Sequence, residues 1–180
     1  SPSELMTGSD WLNQPNKSQK KYLDTEAVYR QFVYENYQTV DQGLEKTIAH
    51  LFDQDEFENT GIYSISQHIR DTLTKYMKYD EKTNTQSENV LEDFLNQKIS
   101  GNDVLFASAA VEAFRHYNIP ARYVEGYLLK SDAIDEEGNA TLTSKDGHAW
   151  VEVYFDGMGW LPIDVTPGYY YDVYTLMNMV

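Results

Sequence analysis

Asp103, His148 and Asp164 are the residues of this 180-residue chain whose types and placement could do chemistry together. His148 opens an apolar run after Gly147, Asp164 lies in the next such run, and Asp103 heads a stretch rich in small residues. An imidazole facing two carboxylates can carry a proton, be held in one orientation, or help bind a divalent ion. Any of these requires three separate elements to converge, because residues strung along one element could not meet. Each residue also has a plain structural role: an Asp at a helix start is commonly a cap, and a strand His commonly a satisfied polar residue. If they converge without a metal, two carboxylates favour the imidazolium, giving an Asp-His-Asp charge cluster from the residues present. That state is the expected one, with no metal ligand set and no cofactor. The chain contains no cysteine, which rules out disulfides, thiolate metal sites and a thiol nucleophile.

The elements that must position these residues follow from periodicity. Residues 104–114 are apolar and rich in Ala, which predicts a central buried helix, closed at Asn118 and followed by an extended exit at Ile119-Pro120. Upstream, Ile62, Ile65, Ile69, Leu73 and Met77 form one helical stripe with a capping box at Ser64 and Gln67. Thr85 and Glu88 predict a second box before Val90, Leu91, Phe94 and Leu95. Val28, Phe32 and Val33 after a cap at Asp24, and Leu44, Ile48, Leu51 and Phe52 after Gly43, predict two further helices. The acidic run 53–59 reads as a solvated loop. Past Pro120 the period changes, and residues 122–129, 149–155 and 160–166 read as strands rich in Val and Tyr. Helices first and then an antiparallel sheet describe an α+β domain.

Charge bounds the partners. Fourteen Lys and Arg against 29 Asp and Glu leave a net charge of −15. Such a surface repels phosphate backbones and anionic headgroups, which argues against nucleic acid and against direct membrane contact. No stretch approaches the roughly 20 consecutive apolar residues of a membrane helix.

Counting sets a geometric condition on the site. A plain four-residue loop, Asp156-Gly157-Met158-Gly159, would pair Phe155 with Trp160 and set Asp164 opposite Val151. Val151 faces away from His148, and a shift of one residue reverses that outcome. His148 and Asp164 therefore meet only across an odd-length loop or a bulge, with Gly157 or Gly159 at positive φ.

Four linked blocks carry a family resemblance. They are Gly101-Asn102-Asp103-Val104-Leu105-Phe106-Ala107-Ser108-Ala109, Tyr117-Asn118-Ile119-Pro120-Ala121-Arg122-Tyr123-Val124-Glu125-Gly126-Tyr127, Gly147-His148-Ala149-Trp150-Val151-Glu152-Val153-Tyr154, and Gly159-Trp160-Leu161-Pro162-Ile163-Asp164-Val165-Thr166-Pro167. In order and spacing they closely resemble the transglutaminase-like core, which has the papain-like cysteine protease fold. The resemblance runs from about residue 62 to residue 167. It implies this division: 1–23 a polar linker or tail, 24–61 an N-terminal helical extension, 62–168 the transglutaminase-like core, and 169–180 a C-terminal tail.

Family members are Cys-His-Asp enzymes that cross-link, deamidate or cleave proteins through a thioester. The positions that match their histidine and orienting acid are His148 and Asp164, and the position that matches their cysteine is Asp103. Trp150, beside His148, and Glu152, on the same strand face, are the candidate binding residues. Arg122 is expected to anchor its strand through an ion pair. The leading expectation is a degenerate domain, a pseudoenzyme that keeps the fold and acts as a peptide- or protein-binding or structural module. The alternative is an inactivated or unusual Cys-His-Asp acyl-transfer enzyme. The resemblance implies a peptide, a protein or a cell-wall amine as ligand, and a place outside the membrane in a larger bacterial cell-surface protein.

Overall fold

The structure, a computed structural model, describes residues 15–83, 89–97, 100–129 and 134–169. Its organising element is the helix Asp103–His116, here α5 following α1 (Lys17–Tyr37), α2 (Glu45–Phe52), α3 (Ile62–Tyr76) and α4 (Val90–Gln97). Ala107, Ala109, Ala110 and Ala113 are buried on α5 with Leu105, Phe106, Val111 and Phe114. Methyl-sized side chains let neighbours approach the helix closely, and α2, α3, α4 and a sheet all pack against it. The Asn102 side chain caps α5 by accepting from the Leu105 N–H at 3.3 Å. At the other end Asn118 takes a φ of 60°, and the Ile119 and Asn118 N–H groups donate to the Phe114 and Arg115 carbonyls. This paired closure is the left-handed stop expected at Asn118.

The sheet has the order β3 (Ala121–Tyr127), β4 (Gly147–Phe155), β5 (Gly159–Ile163), all antiparallel. A short parallel pair, β1 (Lys78–Tyr79) with β2 (Ser100–Gly101), leads the chain into the start of α5. Helices followed by an antiparallel sheet make the α+β architecture expected from the sequence. Val151, Val153 and Ile163 of the sheet join Ile48, Leu51, Phe52, Ile69, Leu73, Phe94 and Phe106 in one apolar core. Because β4 pairs Phe155 with Gly159 and Val151 with Ile163, the connecting loop is Asp156-Gly157-Met158, an odd length. Gly157 and Gly159 both have positive φ, 76° and 102°, as such a loop demands. Extending this register sets Asp164 level with Trp150, on the face of β4 that carries His148.

Several local expectations change. Helix α1 begins at Lys17, inside the stretch read as a linker through residue 23, because Asn16 and Gln19 form a reciprocal capping box. Asp24 is therefore an interior residue and not a cap. Of the expected stripe only Val33 is buried, whereas Val28 is 73% exposed and Phe32 49% exposed. The helix docks instead through polar groups. Buried Glu26 accepts from the Tyr154 hydroxyl and the Gly157 N–H, both at 2.9 Å, and the Trp160 Nε1–H donates to the Tyr29 hydroxyl. Ser64 lies within α3, whose first residue follows Gly61, though its Oγ still accepts from the Thr60 N–H and donates to the Gly61 carbonyl. Strand β4 starts at Gly147 and so includes His148. Strand β5 stops at Ile163 because the Asp164 carboxylate turns back to accept from the Thr166 N–H at 2.9 Å. The capping box read at Thr85 and Glu88 lies outside the described residues, as do residues 1–14 and 170–180.

Candidate functional site

Asp103 is the first residue of α5, where the unpaired N–H groups and the helix dipole favour an anion. Its Oδ1 accepts from the Val104 N–H at 3.0 Å. Its Oδ2 accepts from the Ala149 N–H at 2.9 Å and lies 3.0 Å from Nδ1 of His148. The other ring nitrogen, Nε2, lies 2.6 Å from Asp164 Oδ2. The side chains of His148 and Asp164 are buried, and that of Asp103 is partly open. Three elements thus bring the three residues into one line, Asp103–His148–Asp164.

The proton count follows from the donors. An ionised carboxylate only accepts, so a ring that bonds a carboxylate through each nitrogen must carry a hydrogen on each. Burial alone lowers the His148 pKa, but the hydrogen bonds to Asp103 and Asp164 and their negative charge outweigh it and push it up to about 9. At Asp103 burial raises the carboxyl pKa. The bonds from His148, Ala149 and Val104 outweigh it, and the net shift is downward. The His148 imidazolium and the Asp103 carboxylate therefore hold each other charged at neutral pH. The rings of Tyr169 and Trp150 lie nearly parallel to the imidazolium, with centroids at 4.5 Å and 6.3 Å, an arrangement that suits a cation.

Beside this line opens a cleft of about 550 Å³, to which Asp103, Glu125, Tyr127, Ser144 and His148 all contribute. A smaller apolar recess of about 250 Å³ adjoins His148 and is walled by Tyr127, Leu128, Trp150 and Pro162. Trp150 accordingly sits at the site, and its Nε1 is enclosed with no partner among the described residues. Glu152 borders neither cavity. It lies directly opposite Arg122 and accepts from the Arg122 Nε at 2.8 Å, the strand-anchoring ion pair, while the guanidinium rests over the Trp160 ring. Sequence reasoning passed over Glu125, Tyr127, Ser144 and Tyr169. The signal for Glu125 and Tyr127 is the β3–β4 register, which pairs them with Ala149 and Gly147, the neighbours of His148. For Ser144 and Tyr169, which lie outside the strands, no signal in the sequence points to the cleft.

The profile described as the transglutaminase-like superfamily matches residues 53–165. Over 87 residues the chain is 37% identical to the uncharacterized protein YebA of Bacillus subtilis, covering 46% of this chain and 12% of that protein. Over 77 residues it is 38% identical to a protein-glutamine gamma-glutamyltransferase of Pseudomonas aeruginosa, covering 42% of this chain and 11% of that protein. The chain thus spans a small part of the curated relatives it matches. Among solved structures, the periplasmic domain of TgpA from Pseudomonas aeruginosa, bound to ethylmercury, aligns with a TM-score of 0.52 at 21% identity. That alignment covers 74% of this chain and 48% of the other, and it speaks to the fold alone. With more than half of its residues inside the family match, and with that family's helix-then-sheet order, the chain belongs to the transglutaminase-like superfamily.

Proposed function

We propose that this domain is a pseudoenzyme of its superfamily, in which Asp103 stands at the nucleophile's position and the cleft serves to bind a peptide or protein segment. The observation that carries this reading is the way Asp103 is used. Its Oδ2 is held by His148 and by the Ala149 N–H, and its Oδ1 by Val104, so three of its roughly four lone-pair sites are committed to donors. A carboxylate attacking an amide would also have to form a mixed anhydride, a poorer acyl carrier than the thioester a cysteine gives. The base is missing as well. An imidazole must be neutral to accept a proton from a nucleophile, and His148, with a pKa of about 9, is already protonated at neutral pH. The same charges that disable the chemistry make the line a rigid wall for the cleft.

A second reading rests on the His148–Asp164 pair, which at 2.6 Å is assembled as acyl transfer through a thiol would need it. In that reading the chain is an inactivated or unusual form of a Cys-His-Asp enzyme. The name of the Pseudomonas aeruginosa relative, a glutamyltransferase, belongs to the same chemistry. In either reading we place the domain outside the membrane within a longer cell-surface protein, in keeping with the periplasmic origin of the aligned TgpA domain. Incubation with a glutamine-containing peptide and a fluorescent primary amine, followed by mass spectrometry, separates the pseudoenzyme reading from that of an unusual, still active enzyme. The pseudoenzyme reading predicts no amine incorporation, no deamidation and no cleavage. Turnover that disappears in Asp103→Ala would overturn it.

A further inference from the structure

We propose that the free edge of β3, from Tyr123 to Tyr127, takes up an extended peptide as a further strand of the sheet, one in which basic residues alternate with apolar ones. The proposal rests on the reading of the cleft as a peptide site, and it says how the peptide is held and which side chains it carries. An edge strand presents a row of N–H and C=O groups that another chain can pair with. Among the described residues the outer strands of the sheet are β3 and β5, and their edges differ.

Two bonds bracket the β3–β4 ladder. The Tyr154 N–H donates to the Pro120 carbonyl at 3.0 Å, and the Leu128 N–H donates to the Asp146 carbonyl at 2.8 Å. The register between them is unbroken, so the even-numbered residues of β3 turn their peptide groups toward β4. Tyr123, Glu125 and Tyr127 turn theirs to the open side. The same alternation turns the Ala121 carbonyl outward, and there the Arg115 side chain takes it, through Nε at 3.2 Å and Nη2 at 3.1 Å. Past Ala121 the outward N–H and C=O groups of β3 have no partner among the described residues. The edge of β5 is guarded instead. Val151, Val153 and Phe155 pair with Ile163, Leu161 and Gly159, which leaves Trp160 and Pro162 facing out. Pro162 has no N–H to offer, and α1 covers Trp160 through Tyr29.

The side chains beside the open edge select the strand. Glu125 and Tyr127 belong to the edge and also line the cleft of about 550 Å³, so a strand laid along β3 runs into the site. A residue directly opposite Glu125 points to the same face of the sheet as Glu125. The ionisable wall of the cleft is Glu125, Asp103 and His148, two carboxylates against one imidazole with no Lys or Arg among its lining residues, so a Lys or Arg side chain suits that face. The residues on either side of it point to the other face. There the Trp150 ring lies against Gly126, and the recess walled by Tyr127, Leu128, Trp150 and Pro162 opens. Apolar side chains suit that recess. The net charge of −15 draws the same basic peptide from a distance.

The test is an NMR titration of the ¹⁵N-labelled protein with acetyl-Thr-Lys-Val-Lys-Val-Lys-Thr-amide. Saturable amide shifts are expected at Tyr123, Glu125 and Tyr127, larger than at Val124 and Gly126, whose N–H groups already serve β4. Strand pairing uses every second amide of the peptide, so N-methylating the lysines and N-methylating the valines must act unequally. An antiparallel strand bonds through the residues opposite Glu125. Methylated lysines should then weaken binding about ten-fold or more while methylated valines change it little, and a parallel strand would reverse the two. Glu125→Gln, which removes the charge and keeps the backbone, should weaken binding about two- to five-fold. Absent saturation, equal effects of the two methylations, or affinity unchanged in Glu125→Gln would overturn the proposal. So would a dimer formed through residues 123–127 without peptide, seen by sedimentation, because the edge would then serve a second copy. Equal effects of methylation with shifts at Asp103 and His148 would still leave the cleft a peptide site, whereas turnover in the amine-incorporation assay overturns the pseudoenzyme reading and leaves the edge untouched.

Discussion

Raising the pH from about 6 to about 9 should destabilise this domain through one residue, His148. Its pKa of about 9 in the folded state stands well above the ordinary value of about 6.5. A raised folded pKa contributes stability that is fully present below the unfolded value and is lost as pH rises through the folded one. At about 1.36 kcal/mol per unit, the Asp103–His148–Asp164 line contributes about 3 kcal/mol below pH 6.5, fading to nothing above pH 9. The buried and half-buried tyrosines do not confuse this window. Tyr79, Tyr117, Tyr123 and Tyr154 all have raised pKa values, so their cost begins only above the ordinary tyrosine value of about 10. Urea unfolding followed at a series of pH values measures the effect. With a slope of about 2–3 kcal/mol per molar, the midpoint should drop by about 1–2 M between pH 6 and pH 9. Asp103→Asn removes one of the two carboxylates and should cut that drop roughly in half. A midpoint that stays level across the window, or an equal drop in Asp103→Asn, would refute the charge-cluster reasoning.

Two packing predictions follow from the same coordinates. Glu26→Ala removes the acceptor for the Tyr154 hydroxyl and the Gly157 N–H, and it should cost about 2–3 kcal/mol in urea unfolding and loosen α1 toward limited proteolysis. Gly126→Ala would set a Cβ 2.7 Å from Cη2 of Trp150, so it should cost about 1–3 kcal/mol and change the tryptophan fluorescence as the indole shifts away from His148.

The parts legible in the sequence are those whose burial is apolar and regular. The small-residue run before Asn118 becomes α5, and the Val- and Tyr-rich runs become the sheet, because each matches one period throughout. Even the loop parity between β4 and β5 was readable, since His148 and Asp164 can share a face in only one of two registers. Legibility failed where polar groups do the docking. Helix α1 carries Val28 and Phe32 toward solvent and buries Glu26, an inversion of the usual pattern that no hydrophobic count reveals. Its true start was visible in Asn16 and Gln19, whose three-residue spacing is a capping box. Glu152 shares the strand face of His148 but was claimed by Arg122 across the strands, a pairing fixed by register and not by composition.

The central claim, that Asp103 stands at a nucleophile's position where the helix end and His148 would support a thiolate, is tested most directly by Asp103→Cys. The rate of alkylation by iodoacetamide, measured against pH, gives the pKa of the new thiol. At the head of α5 and beside the His148 imidazolium, the account predicts a value well below the ordinary thiol pKa of about 8.5. An ordinary value near 8.5 would contradict it, because it would mean that His148 and the helix end no longer support an anion at this position.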